Sequence, residues 1–265
     1  MISGAATPET CLLNSRYFYI TLYKAYSDLK AESAKLYASY LWWIIEPILQ
    51  MMVYYLVFGL LFQRNKPGYV PFLLVGLVVW RWWTAIIHEG ANSLVRNQHL
   101  IRQVYLPKFI FPFVAVLTQS FKFAIVFTIL LAFLWMYGYL PGVSYAALPL
   151  VFLSQLLLVS GVTLVLSSLY PYMPDLRLLV ETALQLLFFV SGVFFGGGDI
   201  PAEYRLYFFL NPLARLLESY REILLFNSTP DFGALALIGL LGLLLMVLGL
   251  LFLIRNDRKY PKVIR

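Results

Sequence analysis

Three ionisable side chains interrupt long apolar stretches of the sequence: Glu46, Arg81 and Lys122. Charges are costly at membrane depth, so such residues generally serve a function or find a partner. By position, Glu46 and Lys122 fall in the same half of their predicted helices, and we expect them to form an ion pair. Arg81 lies among three tryptophans and either faces a water-filled channel or extends to the outer headgroups.

The residue types needed for catalysis are sparse. The dipeptide Gly-Lys does not occur, so the sequence lacks a phosphate-binding P-loop. His88 and His99 are not accompanied by a cluster of cysteines or carboxylates, and Cys11 is the one cysteine. No Ser-His-Asp constellation has a suggestive spacing. We therefore expect no catalytic residue, no metal site and no cofactor bound by this chain.

An aromatic series follows helical spacing in the first apolar stretch, residues 41–62. Five side chains would form one broad helix face: Met51, Tyr54, Tyr55, Phe58 and Phe62. Aromatic faces stack on the apolar faces of sugar rings without strong preference for any one sugar, which would suit a sliding polymer. Ordinary helix packing or lipid contact explains the same spacing, and the sequence leaves both interpretations open.

The composition is that of a membrane protein. The 265 residues are 61% hydrophobic and 12% charged, whereas about a quarter of the residues in soluble domains are charged. Long unbroken apolar runs favour helices over a barrel. Residues 41–62 would extend roughly 33 Å as a helix, enough for a bilayer core of about 30 Å. The apolar runs predict six spans, at about 41–62, 71–87, 110–137, 147–169, 178–195 and 232–254.

Polar segments separate these spans. Residues 16–40 predict an amphipathic helix that lies in the membrane interface. Residues 199–228 carry too many charges for a lipid-exposed span, and Asn211-Pro212 divides them into two short helices that need shielding by protein. The expected organisation is an amino-terminal interface segment (1–40), a membrane domain (41–254) and a basic tail (255–265).

The distribution of lysine and arginine predicts the orientation. With six spans, 13 of the 20 basic residues fall on the side of the two termini and 5 on the opposite side. Cytoplasmic loops carry the excess of positive charge, so both termini are predicted to be cytoplasmic. The net charge of +7 is thus a topology signal rather than a nucleic-acid footprint.

Several segments, in order, resemble one known family. They are LWWIIEPILQMMVYYLVF in the first span, GLVVW from Gly76, NSLVRNQHLIRQVYLPK from Asn92, YPYMPDLR from Tyr170 and NPLARLLESYREILL from Asn211. Together they resemble the permease subunit of ABC-2 type polysaccharide exporters, which move O-antigen, capsule or teichoic-acid chains on a lipid carrier. The resemblance extends from about residue 20 to 255.

The resemblance implies an all-α integral membrane permease with six transmembrane helices, an interface helix and two short periplasmic re-entrant helices, as in type V-like exporters. It implies a homodimer with a central channel in the bacterial inner membrane, in contact with membrane lipids. Two copies of a separate P-loop ATPase would hold ATP and Mg²⁺. The substrate would be a lipid-linked glycan, and the aromatic series would become a candidate for its path.

The resemblance also implies roles for particular residues. The segment at about 92–105 corresponds to the coupling helix that docks on the ATPase, with Leu94, Arg96, Asn97, His99, Ile101, Arg102 and Tyr105. Asp175 and Arg177 correspond to a second cytoplasmic contact. The segment 199–228 corresponds to the periplasmic gate helices, with Asn211, Pro212 and Arg215.

Three alternatives compete with polysaccharide export. One is an ABC-2 permease for a drug or small lipid, which would need fewer aromatic residues along its path. Another is a membrane-embedded glycosyl- or acyltransferase, which would need a catalytic acid or histidine clustered at a membrane face. A structural scaffold is disfavoured by the three intramembrane charges.

Overall fold

A computed structural model describes residues 15–34, nine positions between 42 and 57, and residues 68–263. Every regular element in these ranges is helical. The α-helices are α1 (Ser15–Ala34), α2 (Tyr69–Ala91), α3 (Ser93–Arg96), α4 (Gln98–Gln103), α5 (Ile110–Met136), α6 (Leu148–Leu169), α7 (Leu176–Val190), α8 (Ala202–Phe209), α9 (Pro212–Leu224), α10 (Phe232–Arg255) and α11 (Tyr260–Val263). Short 3₁₀ helices lie at Val143–Ala147 and Gly197–Asp199.

Among the residues that the structure describes, four helical segments are long and apolar enough to cross a membrane: α2, α5, Val143–Leu169 and α10. The predicted first span lies largely outside the described residues. The predicted fifth span is α7, whose 15 residues extend only about 22 Å at the helical rise per residue. Four of the six predicted spans are therefore confirmed as candidates, and the count of six stays a prediction.

Helices α6 and α10 form the most extensive helix–helix contact of the described chain. Glycines allow their backbones to approach: a Cβ on Gly242 would lie 2.4 Å from the Leu158 nitrogen, and one on Gly161 would lie 2.4 Å from the Gly242 carbonyl oxygen. Small residues are the usual means of close packing in lipid, where no hydrophobic force draws helices together. Helices α6 and α10 are thus a tightly packed pair.

Helix α2 lies at the centre of the main core and packs on α5 and α6. Trp82 is buried between two rings, with centroid distances of 4.3 Å to Phe123 on α5 and 4.7 Å to Phe152 on α6. Stacked aromatic pairs add to the energy of burial. All three tryptophans near Arg81 (Trp80, Trp82 and Trp83) are buried core residues.

The loops gather at two ends of the bundle. We call one the basic end: it holds α3, α4, residues 170–175 and α11, and its exposed cations include Arg96, Arg102, Arg177, Arg258 and Lys259. The far end holds α8, α9, residues 191–201 and the 3₁₀ helix at 143–147. Helix α1 packs along α5 through the buried residues Thr21 and Ala25, while Leu22 and Tyr26 stay exposed.

Candidate functional site

A groove of about 560 Å³ runs between α2 and α7. The lining residues on α2 recur at the spacing of one helix face, and so do the lining residues on α7. The lining residues are Gln50, Leu77, Trp80, Arg81, Thr84, His88, Glu181, Leu184, Gln185, Phe188 and Phe189. A single cleft therefore combines hydrogen-bonding groups with aromatic surface.

Arg81 is placed in this groove, near the midpoint of α2. Its guanidinium donates a hydrogen bond to the side-chain oxygen of Gln50. The structure thus shows Arg81 lining a cleft, and its extension to the outer headgroups stays an alternative prediction. The use of that cleft as a channel stays a prediction.

Aromatic rings form the end of the groove nearest the far end of the bundle. Phe188 lies 5.6 Å from Trp80 and 5.0 Å from Phe194, measured between ring centroids. Phe189 is mostly exposed and stacks on Phe194 at 6.0 Å. These rings offer apolar faces beside the polar groups of Glu181 and Gln185 on the same helix. Their spacing along α7 makes them detectable from the sequence, although the aromatic series of the first span is the more conspicuous signal.

The predicted aromatic series, Met51, Tyr54, Tyr55, Phe58 and Phe62, lies outside the described residues. Glu46 lies outside them too, so its pairing with Lys122 stays a prediction. The structure shows another partner for Lys122: its ammonium lies 2.6 Å from both carboxylate oxygens of Glu32 on α1. This ion pair joins α1 to α5.

The Lys122–Glu32 pair lines a second cavity, of about 390 Å³, between α1, α3 and α5 at the basic end. Two more ion pairs share its wall: Lys24 with Asp28, and Arg96 with Glu89. The cations and anions balance, so the cavity has no strong preference for one sign of charge.

The predicted coupling helix at about 92–105 is two short helices, α3 and α4, with a break at Asn97. Leu94 and Ile101 are buried and anchor the segment in an apolar cluster. Arg96, His99 and Arg102 are exposed. Tyr105, which was expected in the coupling helix, lies beyond the end of α4 at Gln103 and is exposed.

Lys108 follows this segment and is almost completely buried, which the sequence gave no reason to expect. Its ammonium lies 3.7 Å from Asp257, donates to the Leu106 carbonyl at 3.0 Å, and lies 4.8 Å from the centre of the Tyr105 ring. Burial lowers the pKa of Lys108 below its usual value, and the attraction of Asp257 only partly opposes this shift. Asp257 is in the tail, remote in sequence.

Asp175 and Arg177, the predicted second contact, are exposed at the basic end where α7 begins. Arg177 pairs with Glu181 one turn later at 3.0 Å. Because Glu181 also lines the groove, this ion pair connects the basic end to the groove wall.

At the far end, Asn211 and Pro212 begin α9 in the expected way. The Asn211 side chain accepts from the Leu213 amide at 3.0 Å and donates to Ser191 at 2.9 Å, and proline occupies the first helical position. Arg215 pairs with Asp231 at 3.3 Å and lies over the Phe209 ring. The division into two short helices at Asn211-Pro212 is confirmed, whereas their dipping into the membrane stays a prediction.

Arg221 on α9 is a buried structural residue that sequence reasoning did not single out. Its guanidinium is buried over the Phe72 ring, 3.5 Å from the ring centre, and donates to four backbone carbonyls. The acceptors are Gly192 at 2.8 Å, Val193 at 2.8 Å, Phe72 at 3.3 Å and Phe195 at 3.4 Å. The available signal was a charge on the apolar face of α9, one turn after Leu217.

Within the described ranges, no group of three or more His, Cys, Asp or Glu side chains is arranged to hold a metal ion. The polar groups of the groove are spread along two helices. Their arrangement suits many weak contacts with a ligand that bears hydroxyl groups.

Several curated proteins are similar to this chain. The O-antigen export system permease protein RfbA of Klebsiella pneumoniae is 28% identical over 234 residues, 88% of this chain and 89% of that protein. RfbA of Myxococcus xanthus is 28% identical over 221 residues, 83% and 85% of the two chains. The polysialic acid transport protein KpsM of Escherichia coli is 25% identical over 228 residues, 84% and 88%. The profile of the ABC-2 type transporter family matches residues 29–225, and the chain therefore belongs to the ABC-2 type transporter family.

Proposed function

We propose that this chain is the channel-forming subunit of an ATP-driven transporter that exports a lipid-linked, O-antigen-like polysaccharide across the bacterial cytoplasmic membrane. The observation that carries the proposal is the α2–α7 groove, which combines hydrogen-bonding and aromatic side chains inside an apolar bundle. The names of the similar proteins, O-antigen export permeases and a polysialic acid transport protein, support the same cargo class.

The groove suits a glycan chemically. Arg81, Thr84 and Gln185 offer donors and acceptors for sugar hydroxyls, while Phe188 and Phe189 offer faces for the apolar sides of sugar rings. Each contact is weak, so a chain can advance by exchanging one set of contacts for the next. A narrow, wholly apolar path for a drug or small lipid would not need these polar groups.

We further propose that two copies enclose the channel. Helix α7 has only one buried side chain, Leu184, and much of its apolar surface is exposed: Leu178, Leu179, Leu186, Phe189 and Val190. Pairing of two copies along this helix would bring two grooves together around one path. The predicted aromatic series of the first span would add to the same wall.

ATP hydrolysis would take place in a separate P-loop ATPase, two copies of which dock at the basic end. The α3–α4 segment suits this role because Leu94 and Ile101 anchor it while Arg96, His99 and Arg102 are exposed. Closure of the ATPases would move the segment, and the bundle would transmit that motion through rigid-body shifts of packed helices. Docking of the ATPases at the basic end would put both termini in the cytoplasm, where the rule for positive charge also predicts them.

The test combines partner capture with an export assay. The chain is purified in mild detergent from a strain that makes the glycan, and surface glycan is quantified in a deletion strain complemented with variants. We expect a stoichiometric P-loop ATPase and loss of surface glycan on deletion. Normal surface glycan in the deletion strain, with loss of a drug or small lipid from the medium, would overturn the proposal in favour of the small-cargo permease.

The groove itself is tested by the double variant Phe188→Leu and Gln185→Leu. We expect export per copy of the protein to fall roughly threefold to tenfold, the range expected for losing an aromatic contact. Leu187→Met is the matched control, since Leu187 lies on the same helix, outside the groove and outside the exposed surface proposed to pair. Equal export by the groove variant and the control would remove the groove from the path.

A further inference from the structure

The carboxy-terminal tail, residues 256–263, makes specific contacts at the basic end although it lies beyond the family match at 29–225. It follows α10 through a turn in which the Lys259 amide donates to the Asn256 carbonyl at 2.8 Å. Its short helix, α11, then packs against α4. The tail therefore reaches from the end of the last span to the coupling segment.

Asp257 binds Lys108, which follows the coupling segment. One carboxylate oxygen accepts from the backbone amide of Lys108 at 3.0 Å, and the other lies 3.7 Å from the Lys108 ammonium. Lys108 is 1% exposed, so this pair is shielded from water. Because Lys108 lies two residues before α5 begins at Ile110, the contact fixes the point where the chain turns from the coupling segment into a span.

Tyr260 holds the end of α6. It is completely buried, and its hydroxyl donates to the Ser168 carbonyl at 3.1 Å. The last carbonyls of a helix lack donors within the helix, and the Tyr260 hydroxyl supplies a donor to one of these carbonyls. The Tyr260 ring also meets the edge of Tyr172 at 5.5 Å. Burial raises the pKa of this hydroxyl, which keeps it a donor at neutral pH.

We infer that the tail is a clamp that connects the coupling segment to the α6–α10 pair, with Asp257 and Tyr260 as positioning residues for transport. The coupling segment is covalently joined only to α2 and α5. Contacts of the tail with Lys108 and Ser168 give it a second connection, to helices packed so closely that Gly242 leaves no room for a Cβ. Motion at α3–α4 is thereby transmitted to α2 and α5 through the chain, and to α6 and α10 through the tail.

This inference rests on the proposed function, and it differs from a purely stabilising role for the tail. Stabilisation alone would change how much protein is folded, whereas a clamp changes how much glycan is exported for each ATP hydrolysed. The measurement is therefore this ratio, in proteoliposomes that contain the purified permease–ATPase complex and lipid-linked glycan. Thermal unfolding of each complex is recorded alongside.

The test variants are Tyr260→Phe, which removes only the hydroxyl, and Asp257→Asn, which removes only the charge. Tyr172→Phe is the matched control, because Tyr172 contributes ring contacts to the same cluster. We expect both test variants to bind the ATPase normally and to export roughly fivefold less glycan per ATP, within the range of typical coupling energies. The control should stay within about twofold of the wild type.

An unchanged ratio of glycan to ATP in both variants would overturn the clamp, even if their melting temperatures fall. Poor folding of Asp257→Asn would leave Tyr260→Phe to decide the outcome. Failure of the wild-type chain to bind an ATPase or to export glycan would instead contradict the proposed function. The two failures are thus distinguishable.

Discussion

A buried cation organises each end of the bundle, and the two cations are satisfied differently. Arg221 at the far end donates to four backbone carbonyls, and its nearest carboxylate, Glu218, lies 3.8 Å away. Lys108 at the basic end contacts a single carbonyl and relies on the Asp257 carboxylate in the tail. The planar guanidinium fixes several groups at once, whereas the ammonium acts as a point charge.

The difference suggests how the two ends are used. Three of the four carbonyls bound by Arg221 belong to residues 192–195. The segment that follows α7 is therefore held in one conformation. The ion pair of Lys108 depends on Asp257 in the tail, which follows α10. This ion pair separates if the tail and α5 move apart. The far end therefore has a rigid anchor, and the basic end has a joint that can transmit or lose motion.

The largest effect should come from breaking the rigid anchor. Arg221→Leu leaves buried carbonyls without donors, and we expect a loss of about 3–5 kcal/mol in the free energy of unfolding. Arg221→Lys should recover little of this, because one ammonium cannot reach four acceptors with the geometry of the fork. Thermal unfolding in detergent measures both variants. Near-complete recovery by lysine would show that charge alone, rather than the fork, anchors α7.

Gly76→Ala tests the same anchor without removing the arginine. A Cβ on Gly76 would lie 2.6 Å from an Arg221 terminal nitrogen and 3.1 Å from the Val193 carbonyl oxygen. Overpacking of this kind costs about 1–3 kcal/mol. In Arg221→Leu this nitrogen is absent, so the added cost of Gly76→Ala should shrink. Simple additivity of the two substitutions would contradict a shared site.

The anchor also explains where prediction from sequence reached its limit. Hydropathy and length locate α2, α5, α6 and α10, because burial in lipid depends on those two properties. The span predicted at 178–195 instead ends at Val190. The carbonyls of Gly192, Val193 and Phe195 are bound by Arg221, which lies about 30 residues later in the sequence. A local pattern contains no information about such a distant partner.

In the candidate site too, single residues were recognisable from the sequence, whereas their contacts were not. Arg81 was recognisable because a charge within an apolar run is unusual, and the structure places it in a cleft. Its neighbours Glu181 and Gln185 come from another helix, and only the packing of α7 beside α2 brings them together. Lys108 and Asp257 are 149 residues apart, so their contact likewise required the fold. Helix-wheel spacing predicts faces, and tertiary packing decides which faces meet.

An intermediate effect should come from the joint at the basic end, and it should depend on pH. Below its folded-state pKa, Lys108 is charged in both states, and the cost of burying that charge is fully present. As pH rises from the folded-state pKa towards the ordinary value of 10.5, the folded state loses its proton first, so the unfolded state binds more protons and stability rises. Lys108→Met lacks this contribution.

We therefore expect the melting temperature of the wild type to rise relative to that of Lys108→Met as pH increases through the alkaline range. Tyr260 is present in both proteins, so comparing the two curves isolates the lysine. Thermal unfolding at a series of pH values up to about 10.5 provides the measurement. A difference that stays constant, or that falls as pH rises, would mean that attraction by Asp257 outweighs burial at this joint.

The smallest effect should come from another ion pair that joins elements remote in sequence, Lys122 with Glu32. The Glu32 side chain is 46% exposed and that of Lys122 is 18% exposed, so water screens their attraction. Glu32→Gln should cost only about 0.2–1 kcal/mol, as measured for exposed pairs, and high salt should remove most of the difference between variant and wild type. A loss comparable to that of Arg221→Leu would show that α1 is a third anchor of the bundle, equal in weight to the far end.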